Sequence, residues 1–428
     1  MALFALLPLQ IAHLWHWALS LGLLYFLFKV SKLYLIRRDL VTAFKPFPSP
    51  PCHWLYGHAR EFLQIGKDLD LINHWAQSYT YGFPLWLGQF FASLIVTHPD
   101  YAKAILARQD PKDDLAYRFI IPWIGEGLLV SSGQKWFQHR RLITPAFHYD
   151  VLKPYVTLMS ECTKIMLNKW EQLVTDQNPV ELFHYVSLMT LDTIMKCAFS
   201  YQSNCQTDSD STYIKAVYEL SYLVDNRFRH FTYHNDFIYN LSPQGFRFRR
   251  ALKVAHQHTD KVITQRKKLL KNEKELDKIS RKRHLDFLDI LLCAKDENGH
   301  GLSDKDLRAE VDTFMFEGHD TTASGISWIL YALAKYPEHQ ERCREEIKEV
   351  LGDRDTVEWE DLGKIPYTTM CIKESLRLYP PVPGVARKLS KPITFCDGRS
   401  LPEGVTVILS IYCINRSPII WKDPEVKV

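Results

Sequence analysis

The sequence predicts a mainly α-helical protein with a small β part and an apolar N-terminal helix that anchors it in a membrane. Only 18 of the 428 residues are glycine and 13% are aromatic, which favours well-packed helices. Long segments repeat apolar residues with the helical period, whereas the alternation typical of strands is confined to short stretches. The first 28 residues contain no Lys, Arg, Asp or Glu.

The apolar N-terminal run is long enough to cross a bilayer, because about 20 apolar residues span its hydrocarbon core as a helix. Basic residues follow at once, and by the positive-inside rule they keep the rest of the chain in the cytoplasm. A cleaved signal peptide is the alternative, but no basic segment precedes the apolar run. We expect a transmembrane signal anchor at 1–28, a basic and Pro-rich linker at 29–51 and a catalytic domain at 52–428.

Composition narrows the class of partner. The chain is 46% hydrophobic, which is enough for a large core, and its net charge of +4 argues against nucleic acid as a partner. Residues 264–284 are rich in charge, but acids are mixed with the bases and no aromatic residues interleave. We interpret that segment as a solvated helix end and loop.

Cysteine usage indicates a reducing compartment. The chain has nine cysteines, an odd number, and none forms a C-x-x-C pair. They are predicted to be reduced and mostly buried, not a disulfide framework. The nine are Cys52, Cys162, Cys197, Cys205, Cys293, Cys343, Cys371, Cys396 and Cys413.

The elements after the anchor follow from periodicity and from proline, glycine and capping signals. Residues 85–106 predict a strand pair and then a helix from Pro99, and residues 150–201 and 212–238 are helical in pattern. Ser303 is a good N-cap for a helix of about 32 residues, which Pro337 stops. Two further helices end at Gly352 and before Pro380. Strands follow, with a turn at Asp397–Gly398.

The long helix carries an unusual group of polar residues, E-G-H-D-T-T, in an apolar setting. Glu317 and Thr321 are four residues apart and share a face. Gly318 costs about 1 kcal/mol of helix propensity relative to alanine, which is reasonable where something must approach the backbone. Asp320 and Thr321 place an acid beside a hydroxyl, the parts of a proton relay. A buried polar network that only joins helices is the alternative.

Three further groups belong with this helix. Glu374 and Arg377 lie three apart and can pair on a helix, a weak signal by itself. Trp136 and Arg140 lie four apart and offer an indole N–H and a guanidinium, which are groups that hold carboxylates. Arg387 is a third candidate donor.

Together, these motifs resemble the microsomal cytochrome P450 family over essentially the whole chain. The E-G-H-D-T-T form is typical of its family four, the fatty-acid ω-hydroxylases, and stretches such as Y-H-N-D-F-I-Y at 233–239 are most like the B subfamily. The resemblance implies a protein of the endoplasmic reticulum membrane, single-pass, with a cytosolic catalytic domain. It also implies heme b, NADPH–cytochrome P450 reductase and cytochrome b5 as partners, and fatty acids or small apolar foreign compounds as substrates.

The resemblance also assigns roles by position. Asp320 and Thr321 would deliver protons to bound dioxygen, and Gly318 would leave room for heme and oxygen. Glu317 matches the acid that forms an ester with a heme methyl in this family. Donors to the heme propionates and a structural pair complete the set: Trp136, Arg140 and Arg387 for the former, Glu374 and Arg377 for the latter.

One family feature is missing. The axial thiolate of these enzymes lies in a loop patterned F-x-x-G-x-x-x-C-x-G, and none of the nine cysteines has that context. Cys413, the last, is in a strand-like stretch. We expect a cytochrome P450 fold that lacks its cysteine loop and last helix. A chain of this sequence is expected to be inactive as a monooxygenase. The Glu374–Arg377 pair is expected to lack the backbone segment that it normally binds. A truncated non-catalytic isoform that acts as a membrane interaction protein and an incomplete gene model are the alternatives.

Overall fold

The computed structural model describes residues 2–63, 66–174, 179–203, 205–207, 212–271, 285–295, 299 and 301–425. Most of the charge-rich segment (272–284) therefore lies outside the described residues, as do residue 1 of the predicted anchor and residues 426–428 of the predicted catalytic domain.

Helices make up most of the described chain, which confirms the mainly α class. In chain order the α-helices are α1 (Ala2–Phe44), α2 (Asp68–Ser78), α3 (Pro99–Leu106), α4 (Asp114–Arg118), α5 (Ile121–Ile124), α6 (Gly133–Ile143), α7 (Tyr149–Leu152), α8 (Tyr155–Val174), α9 (Leu182–Phe199), α10 (Thr212–Arg229), α11 (Asp236–Leu241), α12 (Pro243–Leu270), α13 (Phe287–Cys293), α14 (Asp304–Lys335), α15 (Pro337–Leu351), α16 (Pro366–Leu378) and α17 (Ile411–Ile414). Short 3-10 helices occupy Glu61–Leu63, Thr144–Phe147, Phe231–His234 and Trp359–Lys364.

The small β part consists of two sheets. Their strands are β1 (Gly82–Trp86), β2 (Ala92–Val96), β3 (Gly384–Lys388), β4 (Ile393–Thr394), β5 (Ser400–Leu401) and β6 (Thr406–Ser410). The larger sheet has the order β1-β2-β6-β3, with β1 antiparallel to β2 and β2 parallel to β6. β4 and β5 form a hairpin at the predicted turn, where Gly398 has a φ of +84° that favours glycine.

The N-terminal helix is longer than predicted. α1 continues to Phe44 through the basic residues that the sequence assigned to a linker starting at residue 29. Lys, Arg, Leu and Tyr tolerate a helix, and the first proline after this run is Pro46. Within α1, His16–Phe44 is long and apolar enough to cross a membrane.

By their internal contacts the residues form two compact units. The first comprises Met1–Asp110 and Arg387–Ser410, and its core includes a stacked pair, Tyr101 and Phe395, with ring centroids 3.8 Å apart. The second comprises Pro111–Ala386 and Ile411–Val428. Its main apolar core is built from α9, α10, α12, α13 and α14.

The central helix of the second unit is α14. It starts as predicted, because the Ser303 hydroxyl accepts a hydrogen bond from the Asp306 N–H at 3.1 Å. Its 32 residues extend for about 48 Å at 1.5 Å per residue. α9 packs along it, with the Thr190 hydroxyl donating to the His319 carbonyl at 3.0 Å. This contact holds the polar group of α14 against its neighbour.

The stretch around Cys413 is not a strand throughout. β6 ends at Ser410, and Ile411–Ile414 form the one-turn helix α17. Cys413 lies in that turn and is only 2% exposed. The alternation in sequence predicted a longer strand, but the Tyr412 N–H donates to the Pro383 carbonyl and draws the chain into a turn.

Candidate active site

The residues Glu317 to Thr322 lie within unbroken α-helix. The Thr321 hydroxyl donates to the Glu317 carbonyl at 2.6 Å, one turn earlier. Such a bond fixes the orientation of the hydroxyl oxygen while leaving its lone pairs free to accept another proton or hydrogen bond.

Gly318 makes room for a neighbouring helix. A Cβ added to this glycine would lie 2.9 Å from both Cγ1 and Cδ1 of Ile194 on α9, which is too close for a real contact. That Gly318 leaves space for heme and dioxygen stays a prediction. The missing side chain here allows α9 to pack tightly on α14.

The Glu317 carboxyl is half-buried, and burial raises its pKa to about 7. Lys112 opposes this rise through its positive charge, whereas Glu310 adds to it. Near neutral pH a large fraction of Glu317 is therefore the neutral acid. A partly neutral carboxyl at this depth is suited to a contact or bond with an apolar partner.

Lys112 is a candidate functional residue that sequence reasoning missed. Its ammonium donates to the carbonyls of Leu128 and Ser131 at 2.6 and 3.2 Å and lies 5.9 Å from the centroid of the Trp136 ring. Because Lys112 also acts on the Glu317 carboxyl, it links the region of α6 to that of Glu317. No spacing or motif in the Q-D-P-K-D-D stretch signals this contact.

Trp136 and Arg140 lie one turn apart on α6 and are exposed, Trp136 by 36%. In the described part of the chain the Arg140 guanidinium forms no ion pair. The other side of α6 is fixed, because His139 Nδ1 lies 2.5 Å from Glu310 Oε1 in a buried contact with α14. Two donors on one rigid, accessible face match the propionate groups of heme.

Asp320 is half-buried, and burial raises its pKa. Its neighbour His319 is fully buried, and burial lowers the pKa of that imidazole. Asp320 also acts on the hydroxyls of Tyr213 and Tyr218, whose pKa values rise. Asp320, the acid of the predicted relay, therefore lies near the hydroxyls of Tyr213 and Tyr218 on α10. It is on the side of α14 that contacts α9 and α10.

The Glu374–Arg377 pair is fully formed. Arg377 donates from Nε and Nη2 to the two carboxylate oxygens of Glu374 at 2.8 and 2.7 Å. It also donates to the carbonyls of Asn415 and Pro424 at 2.6 and 2.9 Å. The expectation that this pair would lack a backbone partner is therefore wrong, because residues 415–424 supply it.

Arg387 lies on β3 in the first compact unit and is half-buried. The other candidates all belong to the second unit, and they are Trp136, Arg140, Glu317, Gly318, Asp320, Thr321, Glu374 and Arg377.

Several of the nine cysteines lie in environments that disfavour a thiolate. Burial raises the pKa values of several, to about 12 for Cys197 and Cys205 and about 11 for Cys371. The described residues also contain no cluster of His, Cys, Asp or Glu with the geometry of a metal site.

Comparison with known proteins shows a single family. The cytochrome P450 family model matches residues 47–426. Cytochrome P450 4A6 of Oryctolagus cuniculus is 58% identical over 421 residues, which are 98% of this chain and 82% of that protein. Cytochrome P450 4A11 of Homo sapiens is 58% identical over 94% of this chain and 78% of its own length.

The human cytochrome P450 4B1 is 54% identical over 98% of this chain and 82% of its own length. Family four is thereby confirmed, with identity to these 4A proteins slightly above that to 4B1. Family-four relatives are membrane-bound microsomal enzymes, and α1 is a candidate anchor of the same kind.

The exposed donors of α6 fit a carboxylate-bearing cofactor, and the family model that covers most of the chain implies that this cofactor is heme. The chain therefore belongs to the cytochrome P450 family, whose members are heme-dependent monooxygenases that use NADPH–cytochrome P450 reductase as their redox partner.

Proposed function

We propose that this monooxygenase hydroxylates fatty acids at or near the ω carbon, or small apolar foreign compounds. The observation that carries this proposal is the group Glu317 to Thr321 on α14, in the form typical of family four. When bound, heme supplies the activation of dioxygen. The residues of the chain hold the cofactor, exclude water and move protons.

In this proposal Glu317 would hold heme covalently through an ester to a heme methyl. The new C–O bond would replace a methyl C–H bond and the carboxyl O–H bond, with dioxygen, the co-substrate of the family, as the two-electron oxidant. Its support is the half-buried, largely neutral carboxyl that burial produces, with its pKa near 7. Trp136 and Arg140 would hold the heme propionates by charge-assisted hydrogen bonds. The same role for Arg387 stays a prediction from the family resemblance. Lys112, between Trp136 and Glu317, would keep positive charge on the same side of the cofactor.

Asp320 and Thr321 would deliver protons. The Asp320 carboxyl would pass its proton to Thr321 Oγ1 as the Thr321 hydroxyl gives up its own hydrogen, and Oγ1 is held in orientation by its bond to the Glu317 carbonyl. Gly318 and Ile194 would act indirectly, because their contact fixes the helix that carries both groups.

The lipid bilayer is a proposed partner through two surfaces. α1 provides the anchor, with the catalytic part in the cytosol at the endoplasmic reticulum. In the second unit, the aromatic and aliphatic side chains of Phe237, Leu241 and Phe246 are 74%, 63% and 62% exposed. Apolar side chains at this exposure, beside the basic residues Arg247 and Arg249, suit the interface of an anionic membrane.

None of the nine cysteines has the sequence context of the family's axial thiolate. A second candidate function is a non-catalytic membrane protein that occupies the reductase or cytochrome b5. The reduced, CO-exposed absorption spectrum distinguishes the two. A strongly red-shifted Soret band would show a thiolate ligand and contradict the non-catalytic candidate.

Substrate class is tested on the holoenzyme, by which we mean the heme-loaded protein together with NADPH–cytochrome P450 reductase. Medium-chain fatty acids and n-alkanes of matched length are offered in parallel, and the hydroxylated carbon is determined by mass spectrometry. Oxygen at the terminal or penultimate carbon is expected. Oxidation spread along the chain would contradict the ω assignment.

A further inference from the structure

A cleft of about 440 Å³ opens beside the N-terminal half of α14, outside the residues described above. Its wall includes Trp123, His256 and Arg308. Asp312 also lines the cleft but is only 2% exposed, so that it forms the floor. An acid at the buried end of an open cleft can exchange protons with solvent.

The environment of Asp312 balances its protonated and ionised forms near neutral pH. The Thr259 hydroxyl donates to its Oδ1, and His256 Nε2 lies 3.8 Å from its Oδ2 while donating to the Trp123 carbonyl at 2.8 Å. Burial raises the pKa of Asp312 to about 7, against the effects of Thr259 and Arg308. Asp260 on α12 adds to the rise.

The same side of α14 leads from Asp312 toward Asp320. Asp312 and His319 are seven residues apart, two helical turns or about 10 Å, and Asp320 is adjacent to His319. Tyr213 of α10 covers this side. It is 3% exposed, its ring centroid is 5.9 Å from that of His319, and both Asp312 and Asp320 raise the pKa of its hydroxyl.

His319 has a free acceptor in this region. Its Nδ1 is 2.8 Å from the Met315 carbonyl, which can only accept, so Nδ1 carries the hydrogen and Nε2 of the neutral ring carries a lone pair. Nε2 is buried and has no hydrogen-bond partner among the described residues. His258, whose ring centroid is 4.6 Å from that of Tyr213, also has a buried Nε2 with no partner there.

Buried polar atoms without partners are costly, at about 1–3 kcal/mol each, so two in one place call for a functional reason. We propose that the cleft, Asp312, Tyr213 and His319 form a proton inlet that ends at Asp320. The inference rests on the proposed role of Asp320 as the donor to Thr321. Tyr213 and His319 are relay residues in this route, because each takes up a proton and passes one on.

The steps balance without any change of oxidation state. Each proton that Asp320 gives up is replaced through Tyr213 and His319 Nε2, each of which gains one O–H or N–H bond and loses one. Asp312 supplies that proton by breaking its carboxyl O–H bond and regains one from water in the cleft. The net result is one proton moved from solvent to Asp320.

The first test uses the 428-residue chain and needs no cofactor. Infrared spectra are recorded between pH 5 and 9, and the carbonyl stretch of protonated carboxyl groups is followed. A band that decreases as the pH rises through about 7, and is absent in Asp312→Asn, is expected. Glu317→Gln removes the other carboxyl of similar pKa, and no Asp312-dependent band in that background would overturn the inlet.

The second test uses the holoenzyme and measures peroxide released per product formed, together with the solvent isotope effect. Asp312→Asn and Tyr213→Phe are expected to raise peroxide release at least threefold and to enlarge the isotope effect. Tyr222→Phe and Asp225→Asn, which alter exposed groups on the same helix as Tyr213, are controls that should match wild type.

Asp320→Asn separates the two proposals. If it does not uncouple the enzyme, the relay through Asp320 is wrong, and the inlet fails with it. If it uncouples while Asp312→Asn and Tyr213→Phe both match wild type, the relay stands and the inlet is wrong.

Discussion

Arg377 and Arg140 each lie one helical turn from a residue of their own motif, yet their environments are opposite. Arg377 is buried, and its guanidinium satisfies a carboxylate and two backbone carbonyls. Arg140 is exposed and has no ion pair within the described part of the chain. Arg377 therefore binds groups within the polypeptide, whereas Arg140 is exposed where it can bind a group that the polypeptide does not supply.

Replacing Arg377 should produce the largest effect on stability. Arg377→Gln leaves Glu374 and the carbonyls of Asn415 and Pro424 without their donor, and breaking such a pair costs about 3–5 kcal/mol. Urea unfolding of the 428-residue chain measures this loss. Arg342→Gln, an exposed arginine on α15, is the control, and equal losses for both variants would contradict the structural role of Arg377.

Glu317 should make the free energy of unfolding depend on pH. Its folded pKa of about 7 lies above the ordinary value of 4.5, so the cost of ionising it is absent below pH 4.5, grows as the pH rises, and is full above 7. At about 1.4 kcal/mol per pKa unit, reduced for a half-buried group, Glu317→Gln should stabilise the chain by about 2 kcal/mol at pH 8. At pH 4 the variant and wild type should unfold alike. A gain independent of pH would contradict the burial of this carboxyl.

A substitution at Gly318 tests whether this motif residue packs against another part of the polypeptide, namely Ile194 on α9. Alanine gains about 1 kcal/mol in helix propensity, but forcing a Cβ against Ile194 costs about 1–3 kcal/mol. Gly318→Ala should therefore destabilise the heme-free chain by about 1 kcal/mol, and Ile194→Ala should relieve the added strain. If Gly318→Ala instead stabilises the chain, the space beside Gly318 does not face α9.

Arg140 should give the smallest effect on stability, within about 0.5 kcal/mol for Arg140→Gln, because an exposed side chain without partners contributes little. Heme binding to the heme-free protein, measured in a Glu317→Ala background where no ester forms, should instead weaken by about tenfold if one charge-assisted hydrogen bond worth about 1.5 kcal/mol is lost. Titration with heme, followed by absorption, measures this, with Arg141→Gln as the neighbouring control. Unchanged heme affinity would remove Arg140 from the site.

Local signals in the sequence predicted local structure well. The Ser303 cap, the stop at Pro337 and the Glu374–Arg377 pair depend on residues within a few positions of each other, and all were found. The class, mainly α with a small β part, follows from the same kind of signal.

Long-range contacts were beyond such reasoning. The partner of Gly318 is Ile194, more than a hundred residues away, so the sequence could show that a close approach was needed but not by what. Lys112 lies in a loop, and the course of this loop brings its ammonium group near Trp136 and Glu317. Cys413 lies in a helical turn because Pro383 accepts a hydrogen bond from Tyr412, which alternation alone does not reveal.

The most direct test of the account is whether heme leaves the holoenzyme in denaturing acidic organic solvent. We predict that wild-type protein retains heme covalently and that Glu317→Ala releases it, whereas Glu310→Gln, which alters a fully buried acid of the same helix, retains it like wild type. Retention of heme by Glu317→Ala, or its release from wild type, would contradict the assignment of Glu317 as the point of attachment.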